Sequence, residues 1–257
     1  KEKESVREQR EREIEAFRAQ EYWSVKAGME HKGQKFDARL IQYLGKKLDK
    51  MDLKTEAEAE QARIAVQAGQ FSVETVETKP VMRNPQPPFT TSTLQQEAAR
   101  KLGFSASHTM RIAQGLYEDG AITYMRTDGV QMDHSAIAAA RKSISDRFDN
   151  GYLPEKPRVY QSKAKNAQEA HEAIRITNPN LEICKFEGCN SCHNKLYDMI
   201  RKRTLASLMS DAEYSDIVIQ ISNGAHIFKS VKSYMTFDGF NIVYNNKIES
   251  YTEFWKL

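Results

Sequence analysis

Four prolines fall within the ten residues PVMRNPQPPF, positions 80–89. Proline fixes φ and carries no amide proton, so a run this dense breaks the regular element that meets it. The break separates two kinds of pattern. Before it, YWSVKAGME and KFDARLIQY alternate as strands do, the second with Phe36, Ala38 and Leu40 on one face. Thr55 followed by Glu58 makes a capping box for a helix reaching about Ala68, where Gly69 stops it. FSVETVETK is a further strand. After the prolines the periods are helical, and alternation returns only in SDIVIQIS, HIFKSVKSYMTF and FNIVY, joined by Asn223-Gly224 and Asp238-Gly239 turns. Strand-rich ends around a helical middle predict an α+β chain in which one domain is interrupted by another. We place the boundaries so that 21–83 and 212–257 form the strand-rich domain and 84–211 the helical one.

Residues 1–20 alternate sign at helical spacing, with Glu8/Arg12 and Arg7/Glu11 four apart and a thin apolar edge of Ile14 and Phe17. The chain opens on Lys within this helical pattern, which predicts a piece of a longer protein. Charged residues make up 28% and mean hydropathy is −0.68, and no apolar run is long enough to span a bilayer, so no membrane partner is expected. The formal charge of +3 is modest, and residues 84–211 carry the same net +3. Nucleic-acid binding therefore cannot be read from bulk charge, and any binding site must be local.

The three cysteines crowd into CKFEGCNSCH, as Cys184, Cys189 and Cys192 followed by His193. An odd number argues against a disulfide framework and for a reducing, intracellular compartment. C-x4-C-x2-C-H supplies four potential zinc ligands. Against zinc, the adjacent Cys192 and His193 are poorly placed to reach one ion, and no second CxxC pair exists. A loop with incidental thiols accounts for the same residues.

In the middle, TSTLQQEAARKLG and SASHTMRIAQGLYEDG each read as a capped helix. Ser107 is the expected N-cap of the second, and Gly103 and Gly120 are the stops. Two short helices followed by a strand resemble a helix-turn-helix with a wing. That strand is GAITYMRTDGV, 120–130. Alternation puts Tyr124, Arg126 and Asp128 on one face and Thr123, Met125 and Thr127 on the other. A free phenol, with a pKa of about 10, is a poor nucleophile. A guanidinium two residues along can favour the phenolate and hold phosphate oxygens in paired hydrogen bonds, and Asp128 can orient Arg126 in turn. Taken by itself, Tyr124 reads better as a half-buried strand tyrosine, since tyrosine is a common sheet residue. Asp133 caps a helix running through Phe148. QSKAKNAQEAHEAIRITNP reads as polar, then helical, with Gln168, His171 and Arg175 sharing a face; HEAIR lacks the second histidine of a zincin. A last helix runs from about Asn194 to Met209. Gln95 and Gln96, early in their helix, can reach a phosphate or simply serve the helix end.

Together, PPFTTSTLQQEAARKLGFSASHTMRIAQGLYEDGAITYMRTDG, AQEAHEAIR, FDGF and REREIEAFRAQEYWSV resemble the type IA DNA topoisomerases of the bacterial topoisomerase I kind. The resemblance implies a winged-helix-like, active-tyrosine domain at 84–211, a hinge-like β domain on either side of it, and residues 1–20 as a helix leading from a preceding ring domain. In the family these parts form an arch over a protein ring. By the same resemblance Tyr124 is the nucleophile that becomes joined to a 5′ phosphate of single-stranded DNA. Arg126 positions the scissile phosphate and His171 contacts DNA near it. Thr123, Thr127, Asp128, Glu172 and Arg175 support the site, although Arg175 reads more simply as an ion-pair partner. Mg²⁺ is expected as cofactor, bound by an acidic Toprim domain that these residues do not include. The other domains of the same enzyme are the expected partners of a DNA-associated monomer that relaxes negative supercoils without ATP. Two positions depart from the family pattern: Gly129 stands where serine is usual, and Ile176 where proline is usual. The competing readings are a non-catalytic winged-helix DNA-binding module and a structural scaffold.

Overall fold

The computed structural model describes residues 6–160 and 171–244. By packing, they divide into two compact units. One comprises the chain up to Lys79 with Asp216–Ser233, the other Pro80–Ser215 with the residues from Tyr234.

In the first unit, α1 (Val6–Ala16) precedes the hairpin of β1 (Lys26–His31) and β2 (Gln34–Tyr43). The turn is Lys32-Gly33, both at positive φ, the two-residue geometry whose twist matches that of the flanking strands. The same device at Leu44-Gly45 adds β3 (Lys46–Lys47). α2 (Glu56–Gln67) starts on the predicted Thr55/Glu58 capping box. Gly69 is not left-handed, so it does not stop the helix in the expected way. It makes room instead: a Cβ there would lie 2.0 Å from Asn223 Oδ1. Buried Asn223 donates from Nδ2 to the Val66 carbonyl at 2.8 Å and so caps α2 from across the unit.

β4 (Ser72–Arg83), β5 (Ala212–Asn223) and β6 (His226–Phe237) complete a sheet of order β1-β2-β6-β5-β4. β4 runs four residues past the expected break and includes Pro80. As an edge strand it faces one neighbour only, so a missing amide donor is tolerated there. Ala38 and Leu40 are buried as the alternation requires, with Ile217, Ile219 and Phe228.

The second unit holds α3 (Thr91–Leu102), α4 (Ala106–Glu118), α5 (His134–Arg147) and α6 (Ser191–Leu208). Its main core joins Phe89, Leu94, Ile112, Leu116, Met125 and Ile200; a second cluster gathers Ile137, Ile144, Leu205 and Met209. Gly103 and Gly120 take the positive φ expected of helix stops, and Asp133 caps α5. Five expectations are corrected. The N-cap of α4 is Ser105, whose hydroxyl accepts from the His108 amide; Ser107 lies within the first turn. α6 begins at Ser191, capped by Asn190, so Cys192 and His193 belong to the helix. FNIVY lies in a 3-10 helix, Gly239–Tyr244, after Gly239 turns tightly against the Asp211 carbonyl. Residues 120–130 form no strand: Gly120 closes a turn, Ile122 makes one isolated bridge, the chain bends at Met125 and Arg126, and no hairpin wing follows α4 among the described residues. Finally, 171–177 is extended rather than helical. Its amides serve neighbouring segments instead of carbonyls four residues back, as β-branched Ile174, Ile176 and Thr177 favour. Gln168 lies outside the described residues.

Candidate active site

The tyrosine segment is held by a second extended strip, 171–177, across about fifty residues of sequence. Isolated bridges pair Ile122 with Ile176, Phe89 with Ile174 and Gln131 with Glu172. Thr123 is the main rivet. Its amide donates to the Arg175 carbonyl at 2.9 Å, and its hydroxyl donates to the Ala173 carbonyl at 2.6 Å while accepting from the Arg175 amide at 2.9 Å. Thr91, on the first turn of α3, is the second. Its Oγ1 donates to the Met125 carbonyl at 2.7 Å and accepts from the Thr127 amide at 2.9 Å, and its own amide donates to the Thr127 carbonyl. Buried Thr127 in turn accepts from the Gly129 amide.

With the backbone held this way, burial alternates along the segment. Met125 and Thr127 point inward; Tyr124, Arg126 and Asp128 are exposed. Tyr124 is 49% exposed, and among the described residues its hydroxyl makes no hydrogen bond. Its ring packs edge-on against Tyr117, on the last turn of α4, with centroids 5.3 Å apart. No ion pair joins Asp128 to Arg126 among the described residues, so the expected orienting contact is not made and the guanidinium faces solvent.

The strip brings the remaining site residues to the same place through its backbone. His171 is exposed, and its carbonyl lies over Gly129, where a Cβ would come within 1.8 Å of the carbonyl oxygen. His171 and Arg175 do not share a helical face, because there is no helix. Glu172 accepts from the Asp133 amide at 2.9 Å and from Arg175 Nε at 2.6 Å, a pair that ties the strip to the cap of α5. Arg175 is thus an ion-pair partner. Gln96 donates to Ser92 within α3, and Gln95 is half-buried on the same helix.

The cysteines form a different kind of place. Cys184 is buried in the main core, with Cys189 and Cys192 packed against it, and all three are free thiols. Burial pushes the Cys184 thiol up to about 12. His193 is held low chiefly by burial and then by His108, and its Nδ1 accepts from the Asn190 amide as part of the α6 cap. No group of three or more His, Cys, Asp or Glu among the described residues is placed to hold a metal ion. No helix among them is long and apolar enough to cross a membrane.

The family model described as DNA topoisomerase matches residues 8–256. The chain belongs to the type IA DNA topoisomerase family. It is 54% identical over 242 residues to DNA topoisomerase 1 of Zymomonas mobilis, covering 93% of this chain and 20% of that protein. It is 42% identical to DNA topoisomerase 1 of Rickettsia felis, covering 95% of this chain and 33% of the relative. The full-length topoisomerase I of Thermotoga maritima matches in structure with a TM-score of 0.66 at 31% identity, over 96% of this chain and 40% of that one. The chain therefore spans a fifth to a third of these curated relatives.

Both departures from the topoisomerase pattern have a local structural counterpart. Gly129 admits the His171 carbonyl, which any side chain would displace. Ile176 restores an amide that proline lacks, and it donates to Thr204 Oγ1 on α6 at 3.4 Å. Two residues of the site escaped sequence reasoning. Thr91 was signalled by TTST, which holds more hydroxyls than one helix cap uses. Tyr117 carried no signal beyond lying one residue before an acidic helix end.

Proposed function

We propose that this chain carries the cleavage half of a type IA topoisomerase reaction, with Tyr124 as nucleophile on single-stranded DNA. The observation that carries this reading is an exposed phenol, without a hydrogen bond among the described residues, two positions from an exposed Arg126 on a segment riveted by Thr91 and Thr123. In the step assigned to it, the Tyr124 phenol oxygen bonds to phosphorus and gives up its proton. The bond from phosphorus to the 3′ oxygen breaks, and that oxygen takes up a proton. The product is a 5′-phosphotyrosine ester, which keeps the phosphodiester's energy, so the reverse attack by the 3′ hydroxyl reseals the strand without ATP. Arg126 binds two oxygens of the scissile phosphate through its planar fork, and His171 donates to the flanking backbone. Thr123, Thr127, Glu172 and Arg175 act by holding the backbone, and Asp128 by its charge beside Arg126. Strand passage and relaxation of negative supercoils belong to the complete protein.

Magnesium does not fit the residues at hand. Glu172 is engaged by Arg175 and the Asp133 amide, and no metal-holding group exists among the described residues. We assign the ion that the family resemblance implies to another domain of the complete protein, and no step above runs through it. The chain alone should accordingly bind single-stranded DNA weakly, more weakly as salt rises, and neither cleave it appreciably nor relax supercoils.

The test is Tyr124→Phe in the complete protein, which removes one hydroxyl and leaves the Tyr117 contact in place. Covalent protein–DNA adduct, trapped by denaturation on a labelled oligonucleotide, should fall to background. Adduct at the wild-type level would assign the nucleophile elsewhere. Adduct-free DNA binding by wild-type protein would favour the non-catalytic module.

A further inference from the structure

A wide cavity of the tyrosine-bearing unit lies away from Tyr124. It has a volume of about 840 Å³, lies where α3 meets α6 and the 239–244 turn, and includes neither Tyr124, Arg126 nor His171 in its lining. Five cations line it, Arg100, Lys101, Lys195, Lys202 and Arg203, against the carboxylates Glu97 and Asp198. The local excess equals the formal +3 of the whole chain, so the charge that bulk composition spreads thinly is gathered here.

The cations are not all spoken for. Glu97 pairs with Lys101 at 2.6 Å and with Arg100, and Asp198 pairs with Lys202 at 2.7 Å. Lys195 is exposed and pairs with no carboxylate among the described residues. Arg203 lies over the Phe89 ring at 4.3 Å, and its Nε is buried without a hydrogen-bond partner. A buried guanidinium N–H left unpaired is costly, and an anion oxygen is the partner that best satisfies it. The geometry is linear. Lys195 and Lys202 are seven residues apart on α6, two turns and about 10 Å along its axis. Thr93, Gln96 and Arg100 recur at helical spacing on α3. Such a row suits successive phosphates of a chain better than one small ion. The neutral donors Thr93, Gln86 and Gln96 can bond phosphate oxygens without regard to base.

We propose that this cavity is a phosphate-binding subsite for the backbone of single-stranded DNA, distinct from the cleavage point. The proposal rests on the reading that the protein acts on single-stranded DNA. It implies that a strand is held at two places, so that cleavage at Tyr124 does not release it. Gln96 acquires its phosphate contact here rather than at the tyrosine.

The test compares the complete protein with K195Q/K202Q and with K142Q, which removes an exposed α5 lysine outside the cavity. The probe is fluorescein-labelled oligo(dT), titrated from low to moderate salt. Losing two phosphate contacts should lower the slope of log affinity against log salt by about 1.4 and weaken binding about 25-fold near 0.1 M salt. Unchanged thermal unfolding would show that the lysines act on DNA. Oligo(dA) should lose affinity to the same extent, and K142Q should be near wild type. Equal slopes for wild type and K195Q/K202Q, with binding intact, would overturn the cavity alone. An equal loss in K142Q would also overturn it, reducing the effect to overall charge. Failure of the wild-type protein to bind oligo(dT) at all would bring down the single-strand reading and the subsite with it.

Discussion

The β1–β2 hairpin and the tyrosine segment both show alternating burial, and they are held in opposite ways. In the hairpin every residue is paired, from Lys26 opposite Arg39 to His31 opposite Gln34. Around Tyr124 the backbone has isolated bridges and the hydroxyls of Thr91 and Thr123. A ladder spreads its stability over many equivalent bonds, whereas a riveted segment concentrates it in a few. The second arrangement leaves the face that carries Tyr124 and Arg126 clear of a neighbouring strand. It also makes the segment vulnerable to single substitutions that a ladder would absorb.

The sharpest way to break this comparison is to add the same methyl to a glycine in each region. Gly28 lies in β1, where a Cβ would meet only Asp37 Oδ1 at 3.9 Å. Gly28→Ala should be neutral or gain up to about 1 kcal/mol from the lost flexibility of glycine. Gly129→Ala drives a carbon into the His171 carbonyl at 1.8 Å, and the obstacle is backbone that cannot swing aside. A cost of about 3 kcal/mol or more is expected in urea unfolding, together with loss of cleavage as His171 is displaced. Equal unfolding midpoints for the two variants would mean that the strip yields easily and the rivets do not govern it.

The same contrast explains what could be read from the sequence. The hairpin was legible because alternation, a glycine turn and a capping box are all local. So was the exposure of Tyr124, Arg126 and Asp128, since burial alternates whether or not a ladder forms. The strip at 171–177 was misread as helix because its sequence tolerates one. Only the distant carbonyls of Phe89, Ala121 and Gln131, absent from any local window, draw its amides into extended geometry. Ser107 reads as a cap because serine is a good one, and the structure starts α4 two residues earlier, on Ser105. Pro80 looked like a terminator because edge position is a property of the sheet, not of the residue. Arg126 and Asp128 look like a pair at a spacing of two, yet both point to solvent.

A middle-sized effect should follow from removing one rivet while keeping its shape. Thr91→Val deletes the hydroxyl that bonds the Met125 carbonyl and leaves the Thr127 amide without its acceptor. The expected cost is about 1–3 kcal/mol. Ser222→Ala is the counterpart within the sheet, since Ser222 Oγ donates to the Ser72 carbonyl at 3.3 Å from an exposed position. Its cost should stay within about 0.5 kcal/mol. A Thr91→Val variant as stable as Ser222→Ala, with wild-type cleavage, would show that the bridges alone hold the segment.

The smallest effect expected on stability is also the most specific to the chemistry. Tyr117 touches Tyr124 only edge to face, and it is itself 40% exposed. An aromatic pair of this kind contributes roughly 0.5–1.5 kcal/mol, and half-exposure puts it at the low end. Tyr117→Leu should therefore scarcely move the unfolding curve. Phe71→Leu, which removes the edge contact with buried Phe228 at 5.4 Å in the sheet unit, should move it as little, since Phe71 is 45% exposed. Cleavage should separate them. Without the ring of Tyr117, the phenol of Tyr124 samples rotamers that point away from Arg126, so adduct formation slows while DNA affinity holds. Tyr117→Phe keeps the ring and should restore the rate, because the contact is made by the ring edge and not by the hydroxyl. If Tyr117→Leu and Tyr117→Phe cleave equally fast, the backbone alone aims Tyr124. If both are slow, the Tyr117 hydroxyl acts in the reaction, and its role is chemical rather than positional.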